Sequence, residues 1–257
     1  MRPLDNMSLR LPSVLPEGDR NGTFRLGLLG GFELRAGSGE TRPPQHVQRL
    51  LAFLALQGRP LHRAYVAGRL WIELSQEHAH GCLRSTLWRL RHLPCPCVEV
   101  TTTHVGLARD VAVDARELEL AAERVLHNGP GPASSDVDSL VRAAELLPDW
   151  YDDWVLQERE RLRQLRLLAL EAEADALIRT RRYSEATIVA LAAVGSDPLR
   201  ESACRLLMRA YLGEGNVAEA LRQFARFRAA LRNDLGLEPS PQMQALVQQA
   251  PVRPLPL

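Results

Sequence analysis

Between His78 and Val98 the chain carries Arg84, Arg89 and Arg91 but no Asp or Glu, with Ser85, Trp88 and His92 interleaved among the arginines. A guanidinium can clamp phosphate or bond guanine O6 and N7 together, and a serine hydroxyl can bond phosphate or base edges. An acid-free segment bearing arginines is the footprint of an anionic partner. A solvated helix face is the plain alternative, and charge alone leaves both open. On a helical wheel of about 100° per residue, Leu83, Leu87 and Leu90 fall within an arc of about 60°, with Thr86 at its edge. These should pack inward. Gly81, Ser85, Trp88, Arg89 and His92 point the other way, with Arg84 and Arg91 on the flank.

Other chemistries are poorly served. All 32 basic residues are arginine. Without lysine there is no Walker A lysine, Schiff-base chemistry or Ser-Lys dyad. His62, His78, His80 and His104 lack partners at triad spacing, and no paired carboxylates or glycine-rich phosphate loop stand out. The chain is therefore expected not to be an enzyme. Cys95-Pro96-Cys97 is not a zinc-ribbon spacing, and Cys82 and Cys204 do not complete one. The expectation is four reduced cytosolic thiols, no metal and no cofactor. Asp152-Asp153 could suggest a metal site; more simply, they decorate a helix start, where negative charge suits the dipole.

The elements that must position the arginines follow from periodicity. Phe24 to Leu28 and Phe32 to Arg35 alternate around Gly30-Gly31, and Ala36 to Gly39 is a turn cluster, which predicts a short antiparallel sheet. Val47, Leu50, Leu51 and Leu54 then mark a helix that stops at Gly58. A second helix follows Pro60, with Val66, Leu70 and Trp71 on its apolar side. A third runs from about Gln76 to Leu93 and ends at Pro94. Val98 to Val113 alternates around Thr101-Thr102-Thr103-His104 and predicts a β-hairpin. Strands, three helices and a hairpin, in that order, are the layout of a winged helix with a wing after the recognition helix. Trp88 then packs against that wing or, functionally, meets a thymine methyl or sugar. Thr102, Thr103 and His104 offer donors to a DNA backbone or minor groove, although Thr also simply favours strands. His92 would be a phosphate neighbour. Arg49, on the first helix, would touch phosphate or face water.

The 257 residues divide by charge. Residues 24–113 hold 11 Arg against 6 acids, and residues 114–257 hold 18 against 22. The second part reads as all-helical: segments near 114–127 and 137–147 around a 128–132 loop, a long helix over about 155–180, and helices near 184–195, 199–213 and 216–234. Gly236 is a natural left-handed stop for the last. Ala186 and Ala220 are 34 residues apart, each preceded by Glu. Leu177 and Tyr211 lie nine residues before them; Pro198 and Phe224 follow at tetratricopeptide offsets. Small residues at Ala186 and Ala220 allow close helix approach, and the bulky ones plug the groove. Stacked helix hairpins present a binding surface; a generic helical bundle is the alternative. The expected domains are a flexible tail at 1–22, a winged-helix DNA-binding domain at 23–114, a tetratricopeptide-like domain at 115–250 and a frayed tail at 251–257. No run is apolar and long enough for a spanning helix, and no secretory signal opens the chain, so a cytoplasmic location is expected.

Several stretches resemble one family. Phe24 to Leu34, Arg49 to Gln57, Leu70-Trp71, Leu83 to Arg91 and Val98 to Val100 are similar to the DNA-binding domain of Streptomyces antibiotic regulatory protein (SARP) activators. Trp150 to Leu162 and Asp234 to Ser240 resemble the bacterial transcriptional activator domain that follows it. The resemblance covers about residues 24–250. It implies an OmpR-type winged helix joined to a tetratricopeptide-like domain. It further implies binding to promoter direct repeats as a tandem pair, recruitment of RNA polymerase through its sigma and alpha subunits, and control of antibiotic biosynthesis genes. By position, Arg84, Ser85, Trp88, Arg89 and Arg91 match the family's outward recognition-helix positions, and Thr102 to His104 match its wing tip. With no Walker A motif and no receiver domain ahead of the winged helix, the chain resembles the short form. Two departures stand out. Gly106 occupies the wing's return strand where a basic residue is common, and Pro94-Cys95-Pro96-Cys97 is a short, rigid lead into the wing. The expected function is a nucleoid-associated activator. The alternative is a helical-repeat adaptor whose winged helix does not bind DNA.

Overall fold

The computed structural model describes residues 24–36, 39–93, 96–128 and 135–249. The expected tails, most of the 128–132 loop, and Pro94 and Cys95 lie outside them. Within the described residues the chain is mainly α with a small β component, as its patterning predicts: a winged helix-turn-helix followed by a tetratricopeptide-like helical array.

Strands β1 (Phe24–Gly27), β2 (Glu33–Ala36) and β3 (Gly39–Thr41) form an antiparallel meander. Leu26 and Leu34 pair across it and are buried. Gly30 and Gly31 take φ of +82° and +146°, a conformation that favours glycine. Helix α1 (Gln45–Gln57) buries Val47, Leu50, Leu51 and Leu54 and ends on Gly58 at φ +69°, whose N–H donates to the Leu54 carbonyl. After the two-residue strand β4 (Leu61–His62) come α2 (Arg63–Leu70) and α3 (Gln76–Leu90). Ser75 caps α3, its hydroxyl accepting from the His78 N–H.

The hairpin is shorter than its alternation suggests. Strand β5 (Val98–Val100) pairs with β6 (His104–Leu107), which also pairs with β4. The return strand stops at Leu107, and a turn at 108–111 follows. Strand β7 (Val111–Val113) then crosses to the first sheet and lies parallel to β1. There Val111 and Val113 reach the core beside Leu26, a pairing that local alternation cannot distinguish from a longer hairpin.

The rear module runs through α4 (Asp114–Asn128), α5 (Ser135–Arg142), α6 (Asp153–Arg179), α7 (Tyr183–Ser196), α8 (Glu201–Gly213), α9 (Val217–Leu235) and α10 (Pro241–Gln249). Its repeat is visible in the backbone. The α6–α7 and α8–α9 turns hold Arg181 and Gly215, 34 residues apart, both left-handed at φ +60° and +81°. The Arg182 N–H donates to the Leu177 carbonyl at 2.9 Å, and the Asn216 N–H repeats the bond to Tyr211 at 2.8 Å. Ala186 and Ala220 are fully buried at the expected close approaches. The Gly213 backbone lies against Tyr183, whose ring would sit 2.3 Å from any added Cβ. Gly236 ends α9 at φ +67°.

Two features lie outside the sequence expectation. Helix α5 stops at Arg142, because Leu146 and Leu147 turn back onto the front sheet, with the Leu147 N–H donating to the Leu28 carbonyl at 2.9 Å. Helix α10 forms beyond the anticipated last helix, anchored by buried Met243 and by the Ser240 N–H donating to Glu201 at 2.9 Å.

One hydrophobic cluster spans the two modules, and a second gathers Cys204, Met208, Ala220, Phe227, Leu231 and Met243 at the far end of the array. Phe53 of α1 meets Trp154 of α6 edge-on at 5.2 Å, Trp150 lies edge-on to Trp154, and Phe32 stacks on Trp150. The Asp114 carboxylate accepts the Leu28 and Leu29 N–H groups at 2.8 and 3.0 Å. Arg116 donates to the Ala55 carbonyl at 2.9 Å, placing a cation at the C-terminal end of α1, where the helix dipole favours it. Asp152 and Asp153 stand at the α6 start as expected, Asp152 at the N-cap and Asp153 in the first turn, and Asp152 also forms an ion pair with Arg49.

Candidate nucleic-acid interface

Helix α3 presents the two faces its spacing predicts. Leu83, Thr86, Leu87 and Leu90 are buried with Ala79, and the Thr86 hydroxyl is satisfied by the Cys82 carbonyl at 2.8 Å. Arg84, Ser85, Trp88 and Arg89 are exposed along the helix, and Arg91 and His92 are exposed where it ends. None of Arg84, Arg89 and Arg91 pairs with an acid among the described residues. His46, at the start of α1, faces this end of α3. Burial, with a smaller contribution from the nearby Arg89 charge, holds its imidazole below the usual range and so favours its neutral form.

Trp88 does not pack against the wing. It is 62% exposed, and its ring partner is His92, at 4.2 Å between centroids. The His92 Nδ1–H donates to the Trp88 carbonyl at 2.8 Å. The four-residue spacing sets the two rings together on the outer side of the helix, leaving the indole face to solvent.

The wing tip is compact. The Thr101 N–H donates to the His104 carbonyl and the His104 N–H to the Thr101 hydroxyl, both at 2.9 Å. Thr102 and Thr103 sit exposed in the turn between them. The Thr103 hydroxyl lies 2.9 Å from His104 Nδ1. The Arg63 N–H donates to the Thr103 carbonyl at 2.9 Å, and the His62 and His104 rings meet edge-on. Gly106 has a steric cause: Pro60 Cα would lie 3.1 Å from any Cβ there. Cys97, buried at the wing's base, is disulfide-bonded, while Cys82 and Cys204 are free thiols. The expectation of four reduced thiols therefore fails at Cys97.

Arg49 is the sequence-selected residue with a different employment. Its guanidinium is held by Asp152 at the module join, both side chains about a quarter exposed, at 28% and 24%. Two arginines that sequence reasoning passed over, Arg59 and Arg63, flank β4 beside the wing without an acidic partner among the described residues. Their signal was their position around Pro60, legible only once β4 is known to pair with β6.

The arginines divide sharply by module. In the front module, Arg42, Arg59, Arg63, Arg69, Arg84, Arg89, Arg91 and Arg109 form no ion pair among the described residues, whereas Arg25, Arg35 and Arg49 do. In the rear module most are consumed internally. Arg200 clamps Glu171 at 2.7 and 2.9 Å, and Arg161 binds both Glu119 and Glu158. Uncommitted positive charge is thus concentrated on the winged helix. Among the described residues no group of His, Cys, Asp and Glu is gathered as a metal site, and no helix is long and apolar enough to cross a membrane.

Residues 107–250 match the bacterial transcriptional activator domain family. The chain is 32% identical to Regulatory protein AfsR of Streptomyces coelicolor, over 93% of this chain and 25% of that protein. It is 26% identical to Regulatory protein AfsR of Streptomyces griseus over the same shares. The chain thus spans about a quarter of the length of these relatives. Among solved structures, Mycobacterium tuberculosis EmbR in complex with a low-affinity phosphopeptide shares the fold at a TM-score of 0.63 and 22% identity, covering 92% of this chain and 66% of that one. The chain belongs to the bacterial transcriptional activator domain family.

Proposed function

We propose that this protein is a transcriptional activator of the SARP type that binds promoter direct repeats through its winged helix and recruits RNA polymerase through the sigma and alpha subunits, switching on secondary-metabolite genes. In this reading α3 enters the major groove. Arg84, Arg89 and Arg91 clamp phosphates or guanine edges, Ser85 bonds base or phosphate, and the open face of Trp88 meets a thymine methyl or sugar. His92 braces Trp88 near the backbone, while Thr102, Thr103 and His104 approach it from the wing. Two copies sit in tandem on the repeats, within the cytoplasm at the nucleoid. The rear module supplies the surface toward polymerase.

The observation that carries this reading is the set of guanidinium groups along and at the end of α3 that form no ion pair among the described residues, in a molecule whose rear arginines are mostly ion-paired. Gel shifts with the upstream regions of neighbouring genes test it. Arg89→Ala should weaken specific binding by about 1–3 kcal/mol if it bonds a base in bidentate fashion. Promoter binding that survives combined substitution of Arg84, Arg89 and Arg91 rejects the site. A protein partner without any promoter footprint supports the adaptor alternative instead.

A further inference from the structure

We infer that Arg59 and Arg63, on either side of β4, form a phosphate clamp that replaces the basic wing residue this chain lacks. The inference rests on the DNA-binding reading above and adds two residues to it. The first observation is a loss. Pro60 packs against the return strand so that its Cα would lie 3.1 Å from a Cβ at position 106, and a side chain there requires the chain at Pro60 to shift. Arg49, the other expected phosphate contact, is committed to Asp152. The second observation is what β4 brings in exchange. It pairs with the wing strand β6, Leu61 opposite Val105 and His62 opposite His104. The Arg63 N–H bonds the Thr103 carbonyl at the wing tip itself. Arg59 and Arg63 therefore flank a strand that is part of the wing sheet. Arg59 is exposed and Arg63 half-buried, and neither has an acidic partner among the described residues. The polar side chains at β4 and the wing tip are His62, Thr103 and His104, none of which is an acid.

The occupant this patch fits is the sugar-phosphate backbone of the duplex whose groove α3 enters. Guanidinium groups carried at the two ends of the strand that pairs with the wing offer charge without a fixed route to base edges. The clamp should therefore supply affinity without sequence discrimination.

The test is the salt dependence of duplex binding by the full chain. Each phosphate contact contributes about 0.9 to the slope of log K against log salt. The double variant Arg59→Gln/Arg63→Gln should flatten that slope by about 1.8, so that its loss of affinity from 50 to 200 mM salt is about twelvefold smaller than that of the parent. Its preference for the promoter duplex over a scrambled one should be unchanged. Arg59→Lys/Arg63→Lys should keep the parental slope, and thermal unfolding should show all three proteins equally folded. A parental slope in the glutamine variant overturns the inference, and so does loss of promoter preference, which would make these residues base readers. If the parent binds and the combined Arg84, Arg89 and Arg91 variant does not, a failed clamp leaves the DNA-binding reading standing. If the parent binds no duplex, both fall.

Discussion

Arg49 of α1 and Asp152 at the head of α6 form an ion pair across the join between the two modules. The Arg49 Nε is buried without a hydrogen-bond partner, so the pair depends on the remaining guanidinium nitrogens. Asp152→Asn should destabilise the fold by about 1–2 kcal/mol, between the values for exposed and fully buried pairs, because it strands a half-buried cation. Urea unfolding checks this. The double variant with Arg49→Met should recover part of the loss. Because the core is continuous across the join, near- and far-ultraviolet signals should report one shared transition in every variant.

Trp88 separates binding from stability. With its ring largely in solvent beside that of His92, Trp88→Ala should shift folding stability by less than about 0.5 kcal/mol. Its effect on duplex affinity should be larger, and addition of promoter DNA should change the indole emission of the parent more than that of the variant. Equal emission changes in both would place the contact elsewhere.

The two equivalent turns of the repeat give a paired prediction. Arg181 holds a left-handed φ that its counterpart Gly215 adopts without a steric penalty. Arg181→Gly should stabilise the protein by about 1 kcal/mol, and Gly215→Ala should destabilise it by about the same amount. Thermal denaturation of both variants checks the opposite signs.

Glu173 of α6 is only 3% exposed and has no ion-pair partner among the described residues. Burial pushes its carboxyl above the usual range. The more distant Arg182 opposes that shift and Glu185 adds to it. A carboxyl raised on folding costs stability when ionised, and that cost disappears as pH falls through its folded pKa toward the unfolded value. Glu173→Gln should therefore raise the melting temperature at pH 7, with the gain shrinking in more acidic buffer. A gain that does not vary with pH would point to packing instead.

Where a local rule decides, the sequence is readable. Leu83, Leu87 and Leu90 mark the inner face of α3, Gly58 and Gly236 stop their helices, and the spacing of Ala186 and Ala220 reveals the repeat. Several misses are settled by distant partners. Val111 to Val113 alternates like a hairpin strand but is claimed by β1. The 143–147 stretch looks helical in isolation, yet Leu147 bonds Leu28. Arg49 looks like a surface arginine until Asp152, 103 residues away, arrives beside it. Helix α10 depends on Glu201, far back in α8, to hold Ser240. For the candidate site, the α3 residues were legible in advance. Arg59 and Arg63 were not, because their placement follows from a two-residue strand too short to leave a pattern.

The Trp150–Trp154–Phe53 cluster packs α1 of the winged helix against α6 of the array behind it. Once α3 is seated on a duplex, the compass bearing of the array around the double helix is settled with it. Inserting about 5 base pairs, half a turn, between operator and promoter would swing the array to the opposite side, and a full turn of about 10 would bring it back. Transcription plotted against spacer length should then rise and fall with the pitch of the DNA.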